Sequence, residues 1–231
     1  MTPMNEIIEH PLLGITLTVL AYVIAIRLHR TIRFIHPILT SSILVILVLF
    51  LFRIPIASYE IGGDILKLVL GPATIALGVP IYKHRVLIHQ HLKAILIAVT
   101  LGSITGIVSA AGLMALMGGT QALIRSVMPK SVSSPIAIEL SHALGGDPNI
   151  TALFTVITGL IGAIGGTTLL RKLGIRDVIA IGIAMGTAAH GFGTAKSFQD
   201  DELQGTLAGL AMGLAGVICS LLFIPILIWL G

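Results

Sequence analysis

Residues 185–196 read MGTAAHGFGTAK and place one imidazole and two threonine hydroxyls inside an apolar run of about twenty residues. The side chain of His190 titrates ordinarily near pH 6.5, which suits a proton-coupled step. Thr187 and Thr194 offer hydroxyls that can bind a carboxylate or, equally, bond back to their own helix. Gly191 and Gly193 break a helix here, and a break at membrane depth frees N–H and C=O groups that lipid cannot satisfy but a ligand, an ion or water can. Ionisable groups at that depth are rare and usually face a cavity, so His190 is read as a site residue. The plainer alternative is a neutral histidine bonded to a carbonyl that the break has freed.

A second group lies at 130–139, KSVSSPIAIE. Ser131, Ser133 and Ser134 precede Pro135, which favours a serine-capped first helical turn. With Lys130 adjacent, that helix end either receives an anion from within the membrane or is an ordinary capped interfacial helix. A third group is LGPATIALGVP at 70–80, where Gly71, Pro72 and Thr74 sit in a helix-breaking cluster. Glu139 and His142 read as a surface pair on one helix face, and Asp64 and Lys67 as a helix-end pair. Asp200, Asp201 and Glu202 read as a loop that stabilises the following helix through its dipole. His84, His89 and His91 have no carboxylate or cysteine beside them and read as a solvated linker, not a metal site. The single cysteine, Cys219, reads as a core residue. No serine nucleophile with a convergent histidine, no HExxH and no paired intramembrane aspartates occur, so no enzymatic chemistry, metal or cofactor is expected.

The elements that must position these groups are membrane helices. The chain is 55% hydrophobic and 10% charged with mean hydropathy +1.04, far outside the range of soluble domains. No polar stretch is long enough for a second, soluble domain, so 1–231 reads as a single integral membrane domain. MTPMNEIIEHP lacks a basic n-region and a cleavage site, which argues against a signal peptide. Net charge is +4, but the Lys and Arg cluster in loops, a topology signal that gives no reason to expect nucleic acid. Apolar runs predict spans at 7–26, 36–52, 62–82, 93–117, 149–170, 177–198 and 203–230, with an amphipathic segment, 119–147, that is not a simple span.

Arg27, Arg30 and Arg33, then Lys83, Arg85 and Lys93, then Arg171, Lys172 and Arg176 mark three cytoplasmic loops. Loops 53–61 and 199–202 fall opposite, which puts the N-terminus outside and the C-terminus inside. Segment 119–147 then crosses an even number of times, most simply as a re-entrant excursion going in over 119–130 and back over 131–147. The halves, about 7–117 and 119–230, become inverted copies in which 62–82 corresponds to 177–198. Gly71 then aligns with Gly186, Ala73 with Ala188 and Gly78 with Gly193. Paired interruptions in inverted halves are the pattern of secondary transporters built on discontinuous helices, although Gly-rich spans also serve close helix packing. The expected fold is all-α: a polytopic transmembrane protein with inverted repeats, two broken helices and a re-entrant segment, like an elevator-type transporter.

LGPATIALGVPIY (70–82), PKSVSSPIAIELSHALGG (129–146), TGLIGAIGG (158–166), GTAAHGFGTA (186–195) and GLAMGLAG (209–216) together resemble the LrgB/CidB family from about residue 10 to the end. The resemblance implies a bacterial cytoplasmic membrane protein that works with a separate small partner of the LrgA/CidA type. It also implies one of two activities. One is antiholin- or holin-like control of murein hydrolases and lysis. The other is transport of a small carboxylate, as in the related plastid glycolate/glycerate translocator and in bacterial pyruvate uptake. The paired breaks and the scarcity of fixed intramembrane charge favour a monocarboxylate transporter, ion- or proton-coupled through His190 and expected to be a homo-oligomer.

Overall fold

In the computed structural model, residues 10–32 and 37–230 are described, and among them the chain is all-helical. Arg33 and the first residues of the spans expected at 7–26 and 36–52 lie outside the described residues. The chain divides into two compact units, Met1–Ala76 and Leu77–Gly231.

The first unit holds α1 (Pro11–Thr31), α2 (Pro37–Leu51) and α3 (Ile56–Ala76). Gly14 and Gly62 let α1 and α3 approach closely, since a Cβ on Gly14 would lie 3.0 Å from the Gly62 Cα. Beside them the hydroxyls of Thr18 and Tyr59 share a 2.8 Å hydrogen bond. Asp64 and Lys67 form the expected pair at 2.7 Å. Gly71, Pro72 and Thr74 sit on the last turns of α3, which runs through Pro72 without a break. The interruption of the expected span 62–82 falls instead at Leu77.

The second unit holds α4 (Gly78–Lys83), α5 (Arg85–Leu116), α6 (Gln121–Val127), α7 (Ser134–Ala143), α8 (Pro148–Lys172), α9 (Val178–Asp200) and α10 (Glu202–Leu230). Five helices, α1, α5, α8, α9 and residues 202–226 of α10, are long and apolar enough to cross a membrane. The chain is a multi-pass membrane protein. Two of the seven expected spans fall short of that standard. The helix within 36–52 has only 15 residues, and the one that overlaps 62–82, Ile56–Ala76, carries Glu60, Asp64 and Lys67.

The helix starts follow from side chains that satisfy free amides. Thr120 accepts from the Leu123 N–H, Asp147 from Asn149 and Ile150, Asp177 from Ala180, and Asp201 from Gln204. The helices α5 and α8 stop alike, each followed by a glycine in the left-handed region, Gly118 at φ 78° and Gly174 at φ 85°, where a side chain would be strained.

The helix α9 does not cross. At His190 the backbone takes φ 39° and ψ −128°, and the chain doubles back. On the first arm, Gly182 faces Gln204 and Gly186 faces Ala208; on the second, Phe198 faces Gly205 and Thr194 faces Gly209. One arm therefore runs parallel to α10 and the other antiparallel. Gly193 lies against the Met185 carbonyl, eight residues back along the chain, a contact that an unbroken helix would place about 12 Å apart.

That reversal corrects the expected topology. Span 177–198 enters and leaves by one end of the unit, so loops 171–176 and 199–202 share that end instead of lying opposite. Lys83 on α4 confirms the grouping by bonding Glu202 at 2.7 Å. The correspondence drawn between 62–82 and 177–198 fails with it, because one is a continuous helix up to Leu77 and the other a hairpin. The helix α10 therefore starts at the end that holds loop 171–176 and runs to the opposite end of the unit.

Segment 119–147 also returns to the end it leaves. Ser126 Oγ accepts from the Asp147 N–H at 2.7 Å, closing its base, while Ser131 reaches Gly106 near the middle of α5. Two apolar clusters seat these pieces. Ile95, Val99, Ile183, Leu207 and Ala211 join α5, α9 and α10; Val132, Ala137, Leu144, Cys219 and Phe223 join 119–147 to α10.

Candidate functional site

The site is assembled in the second unit where the two excursions end. His190 is 3% exposed at the tip of the α9 hairpin, level with Met212 on α10. Its Nε2 lies 3.0 Å from the carbonyl oxygen of Thr155 on α8. A carbonyl can only accept, so Nε2 carries the proton and donates. Phe192 meets the imidazole edge-on, with ring centroids 5.6 Å apart.

Small residues on α8 make this approach possible. A Cβ on Gly159 would lie 2.7 Å from His190 Cε1, one on Gly166 would lie 2.5 Å from Met185 Sδ, and one on Gly162 would collide with Ala189. The run TGLIGAIGG is thus the seat of the hairpin. The backbone of His190 lies in a region that glycine prefers, and a non-glycine residue held there costs about 1–3 kcal/mol. The surrounding packing must hold it.

Thr187 and Thr194 are buried on the two arms, one turn either side of the tip. Both bond back to their own helix, Thr187 Oγ1 to the Ile183 carbonyl at 2.7 Å and Thr194 Oγ1 to the His190 carbonyl at 2.9 Å. Their hydroxyl protons are committed, and their oxygens retain accepting capacity. Gly193 is buried in the fold-back, whereas Gly191 is exposed on the opposite side.

Lys130 stands at the tip of 119–147, next to Ser131, which packs on Gly106 of α5. Its Nζ reaches Ser131 Oγ at 3.4 Å. Ser133 is the N-cap residue of α7 and Ser134 its first residue; neither makes a capping side-chain bond at Ser133, and both are half-buried. On α5, Gly102 packs against Thr187 and Gly106 against Ser131, so one helical turn separates the seats of the two excursions. The structure thereby brings Lys130, Ser133 and Ser134 to the same region as Thr187, His190 and Thr194. Gly71, Pro72 and Thr74 belong to the first unit.

The residues missed by sequence reasoning are Thr155, Phe192, Gly102, Gly106 and Gly159. For all but Phe192 the signal was present as small residues at helical spacing in two neighbouring spans, which by itself marks packing and not a particular partner.

Alongside this site, a half-open apolar cavity of about 480 Å³ lies between α5 and the first arm of α9, lined by Ala94, Ala98, Gly102, Ala180, Ala184 and Ala188, with His91 and Asp177 at its mouth.

Comparison with known proteins gives the chain's kinship. It is 36% identical over 218 residues to YxaC of Bacillus subtilis (strain 168), covering 94% of each chain. It is 34% identical over 208 residues to YwbG of the same organism, covering 89% of this chain and 92% of that one. It is also 36% identical over 229 residues to the holin-like protein CidB of Staphylococcus aureus (strain Mu50), covering 98% of this chain and 99% of CidB. No solved structure matches. With the family match running from residue 18 to residue 230, the chain belongs to the LrgB-like family.

Proposed function

We propose that the protein is a secondary transporter of small monocarboxylates, such as glycolate, glycerate, pyruvate or lactate, in a bacterial cytoplasmic membrane. The observation that carries this reading is the strained reversal at His190, which stops level with the tip of 119–147 where Lys130 stands, both seated on α5 through Gly102 and Gly106. A half-buried cation beside freed helix-end amides suits one carboxylate, and the nearby hydroxyl oxygens suit the hydroxyl of a hydroxy acid. The Nε2 proton of His190 is held by Thr155, which leaves Nδ1 as the position for a coupled proton. With the basic loops inside, the hairpin at His190 enters from the cytoplasm and 119–147 from the outer side. A small membrane protein of the LrgA/CidA type is the proposed partner.

A second reading, control of murein hydrolases through a holin-like assembly, is favoured by the name of the relative CidB. Gly-mediated packing serves that role, but it gives no reason to bring Lys130 to His190. The test is counterflow of labelled glycolate and pyruvate into proteoliposomes holding the purified protein, with and without the small partner. Saturable uptake supports transport; its absence in both preparations sinks it and leaves the holin-like reading.

A further inference from the structure

We propose that residues 85–200 form an internal inverted repeat, each copy a crossing helix followed by a hairpin, and that of the two hairpins 178–200 is the gate that opens, toward the basic-loop face. The repeat stands on geometry alone; the word gate rests on the transport reading above.

The two copies match in boundaries and punctuation. The first hairpin runs from Gln121 to Ala143 and the second from Val178 to Asp200, both displaced by 57 residues (121 to 178, 143 to 200). The same interval carries the N-cap Thr120 onto Asp177, and the cap Ser133 of the returning arm onto His190, the reversal point. At one residue less, the left-handed Gly118 falls on Gly174 and the helix end Leu116 on Lys172. The copies are inverted because α5 runs with the first arm of α9, through Gly102 and Thr187, while α8 runs against it, through Gly159 with His190 and Gly166 with Met185. Side chains differ at most aligned positions, so the relation is one of backbone plan.

The hairpins differ in how their bases are held. The base of 121–143 is latched by a buried network. Ser126 Oγ donates to the Ala122 carbonyl and accepts from Asp147 N–H, while Thr151 Oγ1 meets the Ser126 carbonyl at 2.8 Å and Ser141 Oγ at 2.6 Å. Around the base of 178–200 the bonds are to exposed or helix-end groups, such as Lys83 with Glu202 and Asp177 with the Ala180 N–H, and several buried side chains have no partner. Thr167 Oγ1 on α8, Ser197 Oγ on the returning arm and Gln204 Nε2 on α10 are buried without a hydrogen bond among the described residues. Gly166 against Met185, Gly182 against Gln204 and Phe198 against Gly205 place these three residues at one level. Burying a polar group unpaired is unfavourable, and parting the arms lets water satisfy all of them at once. The closed base of 178–200 is therefore the weaker of the two.

The test uses the full chain in membrane vesicles with Cys219→Ala, Ile175→Cys marking the basic-loop side and Ser197→Cys reporting the gate. Residue 197 should react with a membrane-impermeant maleimide from the side that labels residue 175, read by mass spectrometry of the modified peptides. Ideal Cβ positions at Gly102 and Thr187 are 3.9 Å apart, and those at Gly106 and Ser131 are 3.8 Å apart, within disulfide range. Oxidising G102C/T187C should abolish labelling at 197 and reductant should restore it, while oxidising G106C/S131C should leave it unchanged. No labelling, labelling indifferent to the first lock, or equal loss with the second overturns the proposal. Hydrogen exchange on the unmodified protein checks it without substitutions: amides of 178–200 should exchange faster than those of 121–143, and the reverse order overturns it. Failed counterflow with these results intact removes the transport reading and leaves an opening hairpin.

Discussion

His190 Nε2 donates to the carbonyl oxygen of Thr155 across 3.0 Å, and that bond joins the sharpest turn in the chain to an otherwise regular helix. The residue is held from both sides, by its ring against Thr155 and Phe192 and by its backbone in a conformation suited to glycine. Replacement by glycine should separate the two. His190→Gly loses a hydrogen bond of about 0.5–1.5 kcal/mol and relieves strain of about 1–3 kcal/mol. Its thermal midpoint in detergent should equal or exceed that of His190→Ala, and its uptake should be lost. A midpoint below that of His190→Ala would show that the reversal is unstrained.

Glycines along α8 differ sharply in what lies opposite. Gly159→Ala and Gly162→Ala drive a methyl into His190 and Ala189 and should each cost about 1–3 kcal/mol by overpacking. Gly165→Ala meets nothing within 4 Å and should be neutral or stabilising by up to about 1 kcal/mol. Unfolding monitored by circular dichroism ranks the three; equal effects would mean that the hairpin is not seated on α8.

The latch of 119–147 predicts a stability effect without a large change of shape. Thr151→Val removes the hydroxyl that meets Ser141 and the Ser126 carbonyl, and should cost about 1–3 kcal/mol. A similar change on the outside of the same helix, Thr168→Val, should stay within about 0.5 kcal/mol.

Lys130 should act on anion affinity. Lys130→Gln should raise KM for a monocarboxylate about tenfold or more, as expected for loss of a charged hydrogen bond, and Lys130→Arg should recover part of it. A change in kcat with KM untouched would place Lys130 away from the substrate.

Topology offers a direct check. Single cysteines at Ile175 and Asp201 should react from the same side of the membrane, because α9 leaves by the end it enters. Reaction from opposite sides would restore a crossing helix.

Much of this architecture was written locally. Composition fixed the membrane class, and the Gly cluster around His190 marked where α9 breaks, since both depend only on nearby residues and on the solvent they must face. The serines before Pro135 marked the start of α7, and 119–147 was recognisable as no simple span because its charges and prolines disfavour one. What the chain could not disclose locally was the angle of the break. A kink and a full reversal use the same flexible residues; the choice is made by Gly159 and Gly162 on α8, Gly186 on α9 and Gly205 on α10, which together clear room for both arms. Basic-loop counting therefore placed 199–202 on the wrong end, for it assumes that every apolar run of spanning length spans. Only the tertiary structure decided that the tips carrying Lys130 and His190 stop at the same depth, because two hairpins enter from opposite ends and seat one turn apart on α5.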